Sequence, residues 1–383
     1  MKKIFTGVIA AFCLLSSAAA LSWGGLVDNN TKLSANHDFS ALMLNQSNGV
    51  YLSVNSNLNE SGSLRFSGEG LYKYKFNFDL KENEGKLKNI ADLDLFKLAG
   101  GWTISGGLLS LNLGRFKYSD FSGAVFTQTS DGLYLSYETV NIKTAVYAGY
   151  TGLLNRLNVS MVENEYKDDD QFYALCPKYV PVLADFTYKG LFNYHNAGLQ
   201  FASYIPVTDD NNMKLYGTFV MNGYLGTLAS YDARFTMGSE KVEDKFDGLM
   251  IDGKLDLNFF ASSNIMITAG GEYVSGAQAD GDIKPFMTLT SRSFGSAPVY
   301  NGVIVPKIGL MYAADKLYAN LTERIIIAMP EDEAKLDGFD TSVNVVYNLF
   351  SDLQIGCDIG AYICKEVEEM SSFYATAKAS LAF

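Results

Sequence analysis

The chain is poor in the residues on which enzymes and metal proteins most often depend. Its 383 residues include only 2 His and 2 Trp, with 7 Pro and 4 Cys. His37 and His195 are far apart, and neither stands in a Cys/His cluster with metal-ligand spacing. His195, in Asn193-Tyr194-His195-Asn196, falls in an expected connection between strands and has no nucleophile motif beside it. There is no Gly-rich phosphate-binding motif; Gly100-Gly101 before Trp102 reads as a turn. No basic cluster suggests nucleic acid. After the first residues there is no apolar run of about 18, so no helix can cross a bilayer. No Pro-rich or Gly/Ser-rich linker divides the chain. No catalytic residue, cofactor or metal is expected, and the working part must lie in a single large domain.

What is abundant is aromatic residues and glycine: 24 Tyr, 25 Phe and 35 Gly, which suit strands and tight turns better than helices. The N-terminus has basic Lys2 and Lys3, an apolar run from Ile4 to about Leu15, and the A-x-A site Ala18-Ala19-Ala20. This pattern predicts a secretory signal over 1–20, cut near Ala20, and a mature domain over 21–383. An exported compartment allows Cys176 and Cys364 to pair, although spacing alone does not bring them together.

Side chains in a strand alternate between faces. At the C-terminus Phe373, Ala375, Ala377, Ala379, Leu381 and Phe383 share one face, with Tyr374, Thr376, Lys378 and Ser380 on the other. From Leu64 to Leu80, Leu64, Phe66, Tyr72, Tyr74, Phe76 and Phe78 oppose Arg65, Glu69, Lys73, Lys75 and Asp79, with Leu71 as the exception. The pattern returns where Leu249, Ile251, Leu255, Leu257 and Phe259 oppose Asp252, Lys254 and Asp256, and where Ile355, Cys357 and Ile359 oppose Asp358. Only a period of two separates these residues so cleanly. Glu323 falls on the apolar side of its segment, which implies a lumen-facing bulge or a shifted register.

Short connections near 261–264, 313–316 and 348–352 alternate with longer polar stretches at 275–301, 329–340 and 365–371. Short turns on one rim and long loops on the other predict an all-β, transmembrane, antiparallel up-and-down barrel of about 16 to 18 strands, with both termini on the short-turn side. A large soluble β-sandwich would also alternate, but would not need aromatic-rich outer faces or a terminal Phe383. On this register Arg65, Glu69, Lys73, Lys75, Asp79, Asp252, Lys254, Asp256, Asp358 and Lys378 face the lumen. The net charge is −12, with surplus acid in the stretches 163–170, 240–247, 331–333 and 366–369, a rim that would attract cations. Two long loops, 155–178 and 275–301, are expected to fold inward, the second carrying Lys284 and Arg292 to a constriction.

The whole pattern resembles outer-membrane porins. Leu113-Gly114-Arg115-Phe116, Tyr118-Ser119-Asp120, Gly123 to Thr127 and Asp131 to Tyr137 resemble the loop-and-strand segment of the alginate-export type of barrel. That resemblance implies 18 strands; a polyanionic solute would also require a path lined by lysine and arginine. The expected function is a channel for passive diffusion of small hydrophilic solutes or ions across the outer membrane of a diderm bacterium. Its expected partners are membrane lipid, the barrel-assembly machinery through the strand ending in Phe383, and further copies in a homotrimer. The competing expectations are a substrate-specific transporter plugged by Leu21 to Asp38, and a structural or adhesive surface barrel.

Overall fold

A computed structural model describes residues 21–150, 179–192, 194–207, 212–277, 282–290, 292–297, 301–329, 333–365 and 367–383, with the side chains of 92–94 left aside. The expected signal over 1–20, the expected inward loop 155–178 and Cys176 lie outside these residues. Eighteen strands follow one another: β1 (Leu21–Asn36), β2 (Leu42–Asn57), β3 (Leu64–Asp79), β4 (Glu84–Ile104), β5 (Gly107–Ser119), β6 (Thr127–Glu138), β7 (Ile142–Tyr150), β8 (Tyr179–Leu191) and β9 (His195–Pro206) form the first half. β10 (Met213–Leu225), β11 (Ala229–Val242), β12 (Lys245–Ser262), β13 (Ile265–Val274), β14 (Val303–Ala314), β15 (Leu317–Ala328), β16 (Lys335–Asn348), β17 (Leu353–Cys364) and β18 (Ser372–Ala382) complete it. Each pairs antiparallel with its sequence neighbours, and β1 pairs with both β2 and β18, closing an 18-stranded barrel. An even strand count returns both ends to one rim, as expected.

The N-terminal segment is therefore wall, not plug. Leu26 to Asn36 bond to β18 on one side while Leu21 to Ala35 bond to β2 on the other. At the seam the Gly25 amide donates to the Phe383 carbonyl at 2.8 Å, and the Phe383 amide to Gly25 O at 3.0 Å. The Phe383 ring lies where a Gly25 Cβ would stand, so the seam needs glycine there.

The outer face bears bare aliphatic and aromatic groups such as Leu52, Tyr72, Leu87, Phe201, Leu255 and Ile308. In water this would be an aggregation hazard, whereas a lipid bilayer solvates it. Glu323 sits on this face between the exposed Leu321 and Ile325, in unbroken register with Thr341 and Ile308. Neither a bulge nor a slipped register explains it; its carboxylate instead accepts the Thr341 hydroxyl.

Two other local expectations change. Gly100 and Gly101 lie inside β4, with the Trp102 ring over Gly100. The turn comes later, at Ser105 and Gly106, both with positive φ (48° and 79°). His195 opens β9 rather than lying in a connection, with Nδ1 2.9 Å from the Tyr231 hydroxyl. Cys357 is exposed on the outer face, and Cys364 is buried.

The apolar core lies within the barrel toward the long-loop rim, where inward-facing aromatics meet two segments folded into the lumen. Tyr118 stacks on Tyr147 at 3.9 Å, Phe126 packs 6.1 Å from Tyr204, and Tyr216 packs 5.8 Å from Phe286. These contacts fix the inward segments to the wall.

Candidate functional site: a lumen narrowed by two inward segments

The first inward segment, 120–126, joins β5 to β6. The Asp120 amide donates to Phe126 O at 2.9 Å and the Gly123 amide to Asp120 O at 3.1 Å, with Gly123 at φ 59°. The Ser122 hydroxyl oxygen accepts the Ala124 and Val125 amides at 2.9 and 3.1 Å, while its proton goes to Asp120. These bonds satisfy a backbone that water does not reach: Val125 and Phe126 are fully buried. The segment is tied to the nearby wall at β9, because the Phe121 amide donates to Gln200 Oε1 at 2.8 Å.

The second segment comes from the long connection between β13 and β14. Leu289 and Thr290 donate their amides to Val125 O at 2.8 and 3.2 Å, and the Thr127 amide donates to Thr290 Oγ1 at 3.1 Å. Farther on, the Ser296 amide donates to Asp340 Oδ1 at 2.7 Å. The tip reaches Asp340 at Gly295, whose φ is 62° and where any Cβ would overlap that carboxylate. The two segments thus bond to each other inside the barrel and narrow it.

A charge cluster anchors this narrowing. Arg234 Nη2 lies 3.0 Å from Asp252 Oδ1 and 2.7 Å from Glu272 Oε1, while Nη1 donates to Ser122 O on the first segment. Arg292, on the second segment, reaches Asp252 Oδ2 at 3.2 Å and also pairs with Glu272. Two guanidinium groups against two carboxylates leave no net charge. Asp252 is fully buried, so losing one partner would leave a buried charge uncompensated. Within the first segment, burial pushes the Asp120 carboxyl up to about 6, against the opposing pull of Ser122, the Phe126 amide and Arg234.

The structure distributes the sequence-predicted lumen residues unevenly. Lys254 and Lys307 both pair with Asp256, at 3.1 and 2.8 Å, and Lys378 pairs with Asp358. Arg324, which the strand pattern had not singled out, pairs with Asp340 at 2.7 Å. Arg65 lies exposed near the short-turn rim, with Nε donating to Gly62 O at 2.9 Å. Asp79 ends β3 at the other rim, accepting the amides of Lys81 and Glu82 at 2.9 and 3.1 Å. Glu69, Lys73 and Lys75 lie between them on the same face. Lys284 does not join Arg292: it pairs with Asp247 near the rim and lies across Gly248. Among the described residues Arg292 carries the second segment into the charge cluster.

The β3–β4 side differs in its charge. Lys75 stands directly opposite Lys88, Asn77 opposite Lys86, and Lys73 one pair further down opposite Ile90. Lys97 shares the inward face of β4 below the bulge. Lysines thus gather on this wall, while Lys254, Lys307, Arg324 and Lys378 of β12–β18 each pair with a carboxylate. Between the Gly295–Ser296 tip and the β1–β18 wall a cavity of about 510 Å³ remains, lined by Asn30, Lys32, Asp358, Thr376 and Lys378.

Two sites were hidden from a reading by residue pattern. The 120–126 segment carried a signal in its apolar tip, Ala124-Val125-Phe126, which a solvated loop would not favour. Arg234 carried none, since its importance comes from what the barrel brings to it.

No family model matches the chain, and no curated protein matches it. Its fold has many counterparts among solved structures. OpdQ of Pseudomonas aeruginosa superposes with a TM-score of 0.61 at 10% identity, covering 95% of this chain and 98% of that one. OpdL of the same organism gives 0.61 at 13% identity, covering 95% and 99%. OccK2 of that organism, solved in complex with glucuronate, gives 0.61 at 12% identity, covering 95% and 96%. OpdK, solved with vanillate, gives 0.60 at 11% identity, covering 94% and 98%. At such identities the likeness is one of fold: a closed antiparallel barrel matched over nearly its whole length.

Proposed function

We propose that the chain forms an outer-membrane channel through which small hydrophilic solutes or ions diffuse passively. The observation that carries this reading is a closed 18-stranded barrel with an apolar outer face and a polar lumen narrowed by its own inward segments. Barrels of this strand number enclose space unless something fills it. Here two segments narrow the space and a polar cavity remains beside them.

The solute class is small organic anions among the hydrophilic solutes. Glucuronate and vanillate, present with two of the structural neighbours, are both carboxylates. The lysines at 73, 75, 86 and 88 on the β3–β4 wall would favour such groups. The apolar outer face of the closed barrel suits a diderm outer membrane as its location, reached after signal cleavage near Ala20 and insertion by the assembly machinery through the Phe383 strand. Homotrimer formation belongs to this proposal, as does the absence of enzymatic chemistry and cofactors. A plugged transporter would need a separate filling domain, whereas Leu21–Asn36 is used in the wall.

Planar-bilayer recording of the refolded protein tests the channel. Stable conductance steps are expected, and silence from folded, inserted protein would sink the proposal. Arg292→Glu should set a third carboxylate beside Asp252 and Glu272, loosen the second segment and shift the reversal potential toward cations. An unchanged reversal potential would remove Arg292 from the ion path.

A further inference from the structure

Between the 120–126 segment and the inward face of β5–β8 lies a recess of about 330 Å³, distinct from the cavity beside Gly295. Its working surface is made by Asn112, Tyr118, Phe121, Tyr134, Lys143 and Asp185. We propose that this recess binds a pyranose ring, a monosaccharide-sized solute held on its way through the lumen. The inference rests on the channel reading and goes beyond its anionic solutes, giving one part of the wall a ligand recognised by ring and hydroxyls.

A pyranose has an apolar face of C–H bonds and a rim of hydroxyl groups. The recess offers a counterpart to each. Tyr134 and Phe121 are partly exposed aromatic rings, with Tyr118 centred 6.0 Å from Tyr134 behind them. Tyr118 is held in place by a face-to-face stack on Tyr147 at 3.9 Å and by Phe126 at 6.4 Å, and the Tyr147 hydroxyl is hydrogen-bonded to Ser130. Phe121 is held by its amide bond to Gln200, and its ring occupies space that only a glycine at 198 leaves open. The aromatic surface is therefore formed before a ligand arrives, which removes the entropy of ordering it.

The polar side is equally fixed. Gln200 Nε2 donates to Asp185 Oδ1 at 2.6 Å, so one glutamine positions both the carboxylate and the aromatic Phe121. Among the described residues Asp185 Oδ2 meets the Tyr118 hydroxyl, at 3.5 Å, a long contact that leaves acceptor capacity for sugar hydroxyls. Asn112 stands opposite Tyr134 in the ladder and supplies an amide, and the Lys143 ammonium, 3.9 Å from Glu138, supplies further donors. A simple carboxylate would face Asp185. A bare aromatic ring would strip water from Asp185 and Lys143 and replace none of its bonds. A ring with one apolar face and a hydroxyl rim meets both demands, and the volume falls within the roughly 300–1,000 Å³ usual for small-ligand pockets.

Saturation-transfer NMR on the full refolded protein, in a detergent without a sugar headgroup, tests this with glucose and with sorbitol, which keeps the hydroxyls but has no ring. Glucose C–H protons should be saturated and sorbitol protons should not. Tyr134→Leu and Asp185→Asn should each weaken glucose binding about tenfold, the loss of one charged hydrogen bond or one stacking surface. Tyr134→Phe, which keeps the ring, should bind as the parent does; heat-modifiable gel mobility confirms that each variant is folded. Equal saturation of glucose and sorbitol, or unchanged binding in both Tyr134→Leu and Asp185→Asn, would overturn the site. Bilayer recordings on the same preparations separate the two proposals. Conductance steps without glucose saturation would remove the recess and leave the pore, while saturation without steps would do the reverse.

Discussion

Asp120 shows how the narrowing responds to acid. Folded, it keeps its proton up to about pH 6; unfolded, it releases it near its ordinary 3.8. Between these values the folded segment binds more protons than the unfolded one, so its stability falls as pH rises through the window. Two units correspond to about 3 kcal/mol at most. Amide exchange at Gly123, corrected for intrinsic rates, should therefore slow on acidification from pH 7 to 4, and Asp120→Asn should flatten the dependence. Glu323 makes the opposite case, a carboxylate facing lipid with Thr341 as its hydrogen-bond partner. Glu323→Gln should stabilise the barrel by about 1 kcal/mol, since a charge on the lipid face is unfavourable even when bonded. Denaturant midpoints in lipid would show it, and a lower midpoint would mean the carboxylate has a partner that the amide cannot replace. The alternation of β12 was legible because Asp252, Lys254 and Asp256 are interleaved with leucines and isoleucine. Arg234 and Asp120 were not, because their roles arise from contacts 112 residues apart and from burial by a segment that sequence treats as a loop.

Elements were legible where the period of two runs unbroken, as in β3, β12, β17 and β18. β4 resisted because it contains a bulge: Gly70 pairs with Leu93 but Glu69 with Leu95. Above the bulge the even positions Lys86 and Lys88 face inward, and below it the odd position Lys97 does. An alternation read straight through cancels itself, so Lys73 and Lys75 of β3 were picked out while Lys86, Lys88 and Lys97 of β4 went unseen. The upper part of β4 has a second property. Its pairing with β5 begins only at Phe96, so residues 84–95 present an edge with no strand beside it among the described residues. Lys86, Lys88 and the bulge itself discourage another chain from pairing there. The β1–β18 seam is the element most exposed to a single change. Gly25→Val would set a branched side chain where the Phe383 ring lies. It should slow closure and reduce the heat-modifiable fraction in refolding gels; a normal yield would show that the ring can move aside without loss.

For the whole molecule the central contrast is between its overall charge and its local charge. The chain carries −12, yet the β3–β4 wall is lysine-rich. Exposed charges are screened beyond about 8 Å at physiological salt, so acidic loops at the rim act weakly on an ion already in the lumen. Lys73→Glu, Lys75→Glu and Lys88→Glu combined should therefore move the reversal potential toward cation preference, and the shift should persist at high salt. A shift that vanished with salt would place the selecting charges on the rim instead. The closed topology also bears on synthesis. Because β1 lacks one neighbour until β18 is made, a chain interrupted before Ser372 is not a smaller pore but an open sheet with two adhesive margins. The hoop thus acts as its own completeness test, since nothing short of the full circuit can hide the edges of β1 and its last strand.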